Sequence, residues 1–179
     1  MFTKLYWIEG PWRGRLAISS RPRGGDWLED EIKNWHSSDL KAVVSLLTAE
    51  EVEDLDLQKE EHYCQKNGIQ FLSFPIIDRS VPSSESDAIW LVQRLEADLD
   101  QGKNINIHCR QGIGRSGLIA VSLLVEKGLS PAVAIESVSK ARHVRVPETE
   151  AQRAWIDSFA VMMNGLLLKP TSVLQNPNS

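Results

Sequence analysis

One short segment contains the residue types that could carry out chemistry on an anion. It reads Cys109-Arg110-Gln111-Gly112-Ile113-Gly114-Arg115-Ser116-Gly117. An apolar stretch ending at His108 precedes it, and an apolar run follows it, so the pattern predicts a strand, a tight loop and a helix. Glycines in such a loop let backbone N–H groups turn inward, and the helix N-terminus adds further donors. The segment therefore predicts an anion-binding loop.

Cys109 and Arg115 are the candidate catalytic residues of this loop. Amide donors, the helix dipole and the Arg115 charge all favour the thiolate form of Cys109, which is the nucleophilic form. The planar fork of Arg115 suits two phosphoryl oxygens better than the point charge of a lysine would. Ser116 can place its hydroxyl near the sulfur and stabilise the thiolate when it leaves. The predicted phosphate-binding residues are Arg110, Gln111, Gly112, Ile113, Gly114 and Arg115.

Alternating apolar patterns indicate the elements that must position this loop. Buried strands are expected over residues 42–47, 69–76 and 104–108, and an edge hairpin over 5–8 and 15–20. Helical patterns cover residues 26–37, 48–66, 83–101, 116–127, 131–142 and 148–164. The order predicts an α/β fold with a central, mostly parallel sheet flanked by helices and an all-helical C-terminal third.

Length and composition predict one soluble domain. The 179 residues are 42% hydrophobic and 25% charged, which is ordinary for a globular protein. We expect a single domain over residues 1–168, with its core over about 15–163. The polar, proline-containing stretch 169–179 is expected to be a flexible C-terminal tail.

Charge, hydropathy and cysteine usage limit the classes of partner that the protein could bind and its location in the cell. A formal net charge of −4 argues against nucleic acid as a partner. No run approaches the roughly 18 apolar residues that span a bilayer, so membrane insertion is not expected. The two cysteines, Cys64 and Cys109, show neither C-x-x-C nor zinc-ligand spacing, which favours a reducing cytoplasm and no metal site.

His108-Cys109, five intervening residues and Arg115-Ser116 resemble the signature of the cysteine-dependent protein tyrosine phosphatases. The compact dual-specificity members of that superfamily are the most similar. The resemblance implies a metal-independent phosphomonoester hydrolase that needs no cofactor and forms a phosphocysteine intermediate. The implied partner is a phosphorylated protein carrying phosphotyrosine, and also phosphoserine or phosphothreonine if the specificity is dual. His108 is expected to support the loop through hydrogen bonds rather than to act as a base.

The resemblance also implies a general acid on a loop that precedes the nucleophile. Asp78 matches that position, because it follows a predicted strand and is followed by Pro82 in a stretch resembling the corresponding loop of small dual-specificity phosphatases. Asp87 is the weaker alternative, since it lies inside a predicted helix.

The similarity extends over roughly residues 15–163. The strand and acidic turn from Val43 to Glu51 resemble those of compact family members. The segment from Arg142 to Gln152 resembles their Arg-to-Gln segment, which would place Gln152 near the pocket. Gln152 could equally be a solvated helix residue.

Three other functions remain open at the level of sequence. A phosphoinositide or other non-protein phosphatase is less favoured, because only Arg110 adds charge to the loop beyond Arg115. A phosphate-binding pseudophosphatase is a rival from another class, although Cys109, Arg115 and Asp78 are all present. An arsenate reductase or rhodanese-type protein also uses a cysteine loop for anions, but arsenate reduction would need resolving cysteines, and only Cys64 is available. Cys64 is expected to be a packing residue, with a redox role as the alternative.

Overall fold

The computed structural model describes residues 1–167, which form one α/β unit. Its five strands are β1 (Tyr6–Ile8), β2 (Leu16–Ser19), β3 (Leu40–Ser45), β4 (Gln70–Ser73) and β5 (Asn104–His108). Its α-helices are α1 (Leu28–Ser37), α2 (Ala49–Asp54), α3 (Glu60–Lys66), α4 (Glu85–Asp100), α5 (Arg115–Glu126), α6 (Pro131–Arg142) and α7 (Glu150–Leu167). A short 3-10 helix, Gly25–Trp27, precedes α1. The predicted tail over 169–179 lies outside the described residues.

The strands form one mostly parallel sheet in the order β1-β2-β5-β3-β4. Only β1 runs antiparallel, paired with β2 as the predicted edge hairpin. The central strand β5 places His108 opposite Ser19 of β2 and Ser45 of β3. Because these three strands are parallel, their carboxyl ends meet at one edge of the sheet. The predicted fold class is confirmed, and the anion-binding segment begins at the centre of that edge.

The two faces of the sheet are covered by different helices. Val44 and Ile107 face the larger apolar cluster, which α4, α5, α6 and α7 complete. Val43, one residue along β3, faces a smaller cluster with residues of α1 and α3. This alternation is the two-residue period of a strand buried on both faces. Helix α5 is buried from Arg115 to Val125, so it holds the end of the loop rigidly.

The expected helix over 48–66 is wrong, because the chain forms two helices there. Helix α2 ends at Asp54 and α3 begins at Glu60. Between them Asp56 adopts a left-handed backbone (φ 53°), and Leu57 is buried in the smaller cluster. A continuous helix could not make this turn. The chain therefore breaks the helix and buries Leu57. Within residues 1–167, no helix is long and apolar enough to cross a membrane.

Candidate active site

The anion loop, residues 109–114, connects the end of β5 to the start of α5. Gly112 within it has a φ of 69°, a left-handed conformation that favours glycine. A Cβ at Gly112 would lie 2.4 Å from the carbonyl carbon of Ser19. The loop therefore packs tightly against the end of β2, and only glycine fits at that point.

The Cys109 sulfur lies at the bottom of the anion loop, with 3% of the residue exposed. The backbone N–H of Gly112 donates to Sγ at 3.3 Å. The hydroxyl oxygen of Ser116, which is fully buried in the first turn of α5, lies 3.4 Å from the same sulfur. Both the Gly112 N–H and the Ser116 hydroxyl are therefore within hydrogen-bond distance of the sulfur. The structure thus brings Cys109 and Ser116 together.

Arg115 is almost completely buried, at 1% exposure, and one end of its guanidinium is fixed by protein acceptors. Nη1 donates to Glu51 Oε2 at 2.7 Å and to the Ile76 carbonyl at 2.9 Å, while Nη2 donates to Glu51 Oε1 at 2.9 Å. Of its five N–H groups, the Nε–H and the second Nη2–H have no hydrogen bond in residues 1–167. These two donors form a fork of the shape that binds two phosphoryl oxygens.

Glu51 is a functional residue that the sequence analysis missed. Its carboxylate accepts from the backbone N–H of Thr48 while the Thr48 hydroxyl accepts from the Glu51 N–H, which is the capping box of α2. The same carboxylate accepts one hydrogen bond from each terminal nitrogen of Arg115. A Thr-x-x-Glu pattern after a strand signals the cap, but nothing local in the sequence indicates an arginine 64 residues away.

The Glu51–Arg115 pair affects the titration of both groups. Burial opposes ionisation of Glu51 most strongly, but the hydrogen bonds from Arg115 and Thr48 and the nearby positive charges outweigh it, so the pKa of Glu51 is lowered from 4.5. Burial also acts against the charge of Arg115, yet Glu51, Cys109 and Asp78 together raise the pKa of Arg115 above its ordinary value. Both side chains are therefore charged at neutral pH.

Asp78 lies above the anion loop, on the acid loop, which comprises residues 74–82 after β4. Its side chain is 57% exposed, and Oδ1 lies 2.9 Å from Nη2 of Arg115 as an ion pair. A cavity of about 120 Å³ is lined by Asp78, Arg79, Cys109, Arg110, Gln111, Gly114, Arg115 and Glu148. Asp87 lies instead in the first turn of α4, where its N–H donates to the Ser84 cap.

Polar contacts tie the acid loop to the start of α7. The buried Gln152 donates through Nε2 to the Ser80 carbonyl at 3.0 Å, and its Oε1 accepts from the backbone N–H groups of Glu148 and Thr149, just before α7. Arg79 forms an ion pair of 2.9 Å with Glu148. Gln152 thus lies beneath the acid loop rather than in the lining of the cavity, and it is not a solvated helix residue.

His108 lies behind the anion loop, buried between the sheet and the smaller apolar cluster. Its ring packs near Trp35, with centroids 5.9 Å apart, and its Nε2 is 2.8 Å from Oε1 of the buried Glu60. The Glu60 carboxylate is thus the polar group in contact with the His108 ring. The Glu60 contact and the packing against Trp35 together hold the His108 ring behind the anion loop.

The remaining predicted residues fall at two places. Arg110, Gln111 and Gly114 line the catalytic cavity, whereas Ile113 lines a neighbouring cavity of about 350 Å³ that shares Glu148 with it. Residues 1–167 contain no group of three or more His, Cys, Asp or Glu side chains placed to hold a metal ion.

Cys64 does not reach the anion loop. It is fully buried in the smaller cluster, on the face of the sheet opposite to the core that contains Cys109, and both thiols are free. Burial, reinforced by two nearby glutamates, raises the pKa of the Cys64 thiol. Cys64 is therefore an unreactive packing residue in this structure.

A parallel sheet whose central strand ends in a Cys-to-Arg loop is the arrangement of the cysteine-dependent phosphatases. The model of the family "Polymorphic toxin system, DSP-PTPase phosphatase" matches residues 18–129. The chain belongs to this family, and the resemblance to compact dual-specificity phosphatases is confirmed.

Curated relatives agree with the family. The chain is 28% identical over 154 residues to Putative tyrosine phosphatase 197R of Invertebrate iridescent virus 6, covering 84% of this chain and 54% of that protein. It is 33% identical over 127 residues to Putative tyrosine phosphatase 067L of Invertebrate iridescent virus 3, covering 63% and 51%. The chain thus spans about half the length of the curated relatives it matches.

Solved structures share the fold over nearly the whole chain. Kinase associated phosphatase superposes with a TM-score of 0.81 at 19% identity, covering 90% of this chain and 96% of that one. Tk-PTP in its active form gives a TM-score of 0.73 at 28% identity, covering 88% and 96%. The first likeness supports the fold alone, and the second extends to the sequence.

Proposed function

We propose that this chain is a metal-independent phosphomonoester hydrolase acting on protein phosphotyrosine, and with dual specificity also on phosphoserine and phosphothreonine. The observation that carries the proposal is the single cavity that Cys109, Arg115 and Asp78 line together. A phosphoryl group held by the free fork of Arg115 would present its phosphorus to the Cys109 sulfur. The remaining acceptor sites of the group suit the inward N–H groups of the anion loop.

In the first step the Cys109 thiolate attacks phosphorus, a P–S bond forms, and the P–O bond to the substrate oxygen breaks. Asp78 gives its proton to that leaving oxygen. Arg115 and the loop amides stabilise the equatorial oxygens of the transition state, where the largest energetic contribution is expected. The products are the dephosphorylated side chain and a phosphocysteine.

In the second step water attacks the phosphocysteine, and Asp78, now a carboxylate, accepts a proton from that water. The P–S bond breaks, its electron pair returns to sulfur, and inorganic phosphate leaves. The Ser116 hydroxyl at 3.4 Å stabilises the departing thiolate by donating to it. The enzyme is thereby restored without any external cofactor.

The Asp78–Arg115 ion pair prepares Asp78 for this role. Asp78 Oδ1 lies 2.9 Å from the same Nη2 that contributes to the free fork. A bound phosphoryl group would take this contact and bring negative charge close to Asp78. The Asp78 carboxyl would then be released from Arg115 and could face the leaving oxygen.

Loop charge, net charge and cysteine usage bear on the substrate class and the location. A phosphorylated protein is preferred over a phosphoinositide, because Arg110 is the only charged residue of the loop between Cys109 and Arg115. The net charge of −4 disfavours nucleic acid. Two free cysteines suit a reducing cytoplasm.

The test is hydrolysis of para-nitrophenyl phosphate under reducing conditions with a metal chelator present. We expect activity in the wild type, no activity in Cys109→Ser, and strongly reduced activity in Asp78→Ala. Asp87→Ala is the matched control, since Asp87 lies on α4 away from the cavity, and it should retain full activity. Wild-type activity that survives Cys109→Ser, or that requires a metal, would contradict the proposal.

Substrate class is then resolved by comparing kcat/KM for matched phosphopeptides and for short-chain phosphoinositides. We expect the phosphotyrosyl peptide to be the best substrate, with measurable turnover of phosphoseryl and phosphothreonyl peptides. A higher kcat/KM for a phosphoinositide than for every peptide would reject the protein substrate and retain the hydrolase.

A further inference from the structure

Arg142, the last residue of α6, lies on the outer side of the anion loop. Its Nε donates to the Gly112 carbonyl at 2.8 Å, and its Nη2 donates to the Gln111 carbonyl at 3.1 Å. The guanidinium carbon lies 4.1 Å from the centre of the Tyr6 ring on β1. Arg142 thus joins α6, the edge strand and two consecutive peptide units of the loop.

The carbonyl groups of the anion loop must point away from the cavity if its N–H groups are to point inward. A carbonyl turned outward at a buried position such as Gly112 needs a donor from the protein, whereas Gln111 is exposed. The Arg110 carbonyl has the backbone N–H of Arg21 at 3.4 Å, and the Gly114 carbonyl has the N–H of Leu118 at 2.9 Å. The carbonyls of Gln111 and Gly112 receive hydrogen bonds from Arg142 alone among the described residues.

We propose that Arg142 is a positioning residue that presets the anion loop for phosphate, by holding these two carbonyls outward. The inference rests on the proposed function in that the preset cradle serves the phosphoryl group of a substrate. Arg142 itself does not line the catalytic cavity. Its effect reaches the substrate through two peptide planes. The N–H groups opposite the Gln111 and Gly112 carbonyls in these planes are those of Gly112 and Ile113, and the Gly112 N–H donates to Cys109 Sγ.

The contacts require an arginine rather than a positive charge. Two neighbouring carbonyls are matched by two N–H groups fixed in one plane, while the guanidinium carbon lies over the Tyr6 ring. A lysine has a compact ammonium that can neither stack in this way nor hold both carbonyls in a fixed geometry. A helix C-terminus also favours any cation through the dipole, and this second effect would be equal for lysine.

The experiment measures how well inorganic phosphate protects Cys109 from alkylation by iodoacetamide, which gives a dissociation constant without requiring turnover. Peptide mass analysis assigns the label to Cys109, and the buried Cys64 serves as an internal check that the protein stays folded. Arg142→Ala and Arg142→Lys are compared with Arg145→Ala. Arg145 is the matched control, because it is exposed, lies three residues further on and makes no hydrogen bond to the loop.

We expect Arg142→Ala to raise the phosphate dissociation constant about tenfold or more, equivalent to ~1.4 kcal/mol, and Arg142→Lys to recover only part of this loss. Arg145→Ala should bind phosphate like the wild type. A dissociation constant in Arg142→Lys equal to that of the wild type would overturn the proposal, since charge alone would then suffice. So would an unchanged constant in Arg142→Ala.

This assay distinguishes a failure of the positioning role of Arg142 from a failure of the proposed hydrolase function. If phosphate protects the wild type and Arg142→Ala equally, the positioning role is wrong and the proposed hydrolase stands. If phosphate protects neither, the anion site itself is absent, and both the positioning role and the proposed function are contradicted. Arg142→Lys keeps the stem and the charge, so it should fold and can decide the question should Arg142→Ala be unstable.

Discussion

At the scale of single residues, the central feature is that Arg115 binds Glu51 with one side of its guanidinium and leaves another side for the phosphoryl group of the substrate. Glu51 holds Nη1 and one N–H of Nη2, which leaves the fork of Nε and Nη2 for the substrate. A buried arginine held in this way loses little rotamer freedom when a phosphoryl group binds. Glu51 therefore belongs to the site, although it touches no substrate.

Replacement of Glu51 by Gln should impair catalysis more than it impairs folding. A neutral amide cannot accept bidentately from Arg115, so the free fork would be less well aligned. We expect kcat/KM for para-nitrophenyl phosphate to fall by about ten- to a hundredfold, the effect of losing a charged hydrogen-bond pair. Glu50→Gln is the matched control at an exposed neighbouring position. Equal effects of the two substitutions would contradict the role of Glu51.

The lowered pKa of Glu51 has a consequence for stability against pH. Because the folded-state pKa lies below the ordinary value of 4.5, the contribution of ionised Glu51 is fully present above that value. It is lost as the pH falls through the folded-state pKa. Urea unfolding should therefore show wild type and Glu51→Gln differing most at neutral pH and converging in acid. A difference that stays constant into acid would argue against this linkage.

Ser116 should matter most when the thiolate leaves. Without its hydroxyl the departing sulfur loses one of two donors, so we expect Ser116→Ala to slow hydrolysis of the phosphocysteine and lower kcat by about ten- to a hundredfold. A burst of para-nitrophenol should then precede slow turnover. Ser122→Ala is the control, since Ser122 is buried in the same helix and its hydroxyl donates a hydrogen bond to the Leu118 carbonyl, one turn earlier. A lowered kcat without a burst would place the role of Ser116 in the first step.

At the scale of elements, the acid loop is held in place by α7. Gln152, Thr149 and Glu148 contact the backbone or side chains of Arg79 and Ser80. These residues directly follow Asp78, so the contacts fix where its carboxyl lies over the cavity. The position of Asp78, the proposed general acid, is thus determined partly by α7 and the two residues before it, far away in sequence.

Gln152→Ala should therefore affect substrates according to their leaving group. A poor leaving group such as an alkoxide depends on a well-placed acid, whereas para-nitrophenolate leaves almost unaided. We expect kcat/KM for an alkyl phosphate to fall several times more than for para-nitrophenyl phosphate. Asp157→Ala, at an exposed position of α7, should change neither. An equal loss on both substrates would contradict a role through Asp78.

Local patterns in the sequence predicted most of the elements but not their contacts. The strands and the anion loop follow from alternating apolar residues and glycine spacing, which act over short stretches. The break between α2 and α3 was missed, because burial of Leu57 depends on the cluster that it enters. Glu51 and Arg142 were missed as members of the site for the same reason, since their partners lie 64 and 30 residues away.

At the scale of the whole molecule, parallel strands gather the site from distant segments. The ends of β3, β4 and β5 lead to Glu51, Asp78 and Cys109 respectively, and they meet at one edge of the sheet. This is the edge at which open α/β sheets bind their ligands. The helical C-terminal part adds Arg142 and Gln152 from behind the two loops. The site therefore depends on the complete packing of the described chain.

The most direct test of the account is to trap the covalent intermediate. A phosphotyrosyl peptide is mixed with the wild type, the reaction is quenched in acid within one turnover, and the digest is analysed by mass spectrometry. The account predicts one phosphoryl group on the peptide that contains Cys109, and none in Cys109→Ser. Turnover without a phosphoryl group on Cys109, or with the group on another residue, would contradict it.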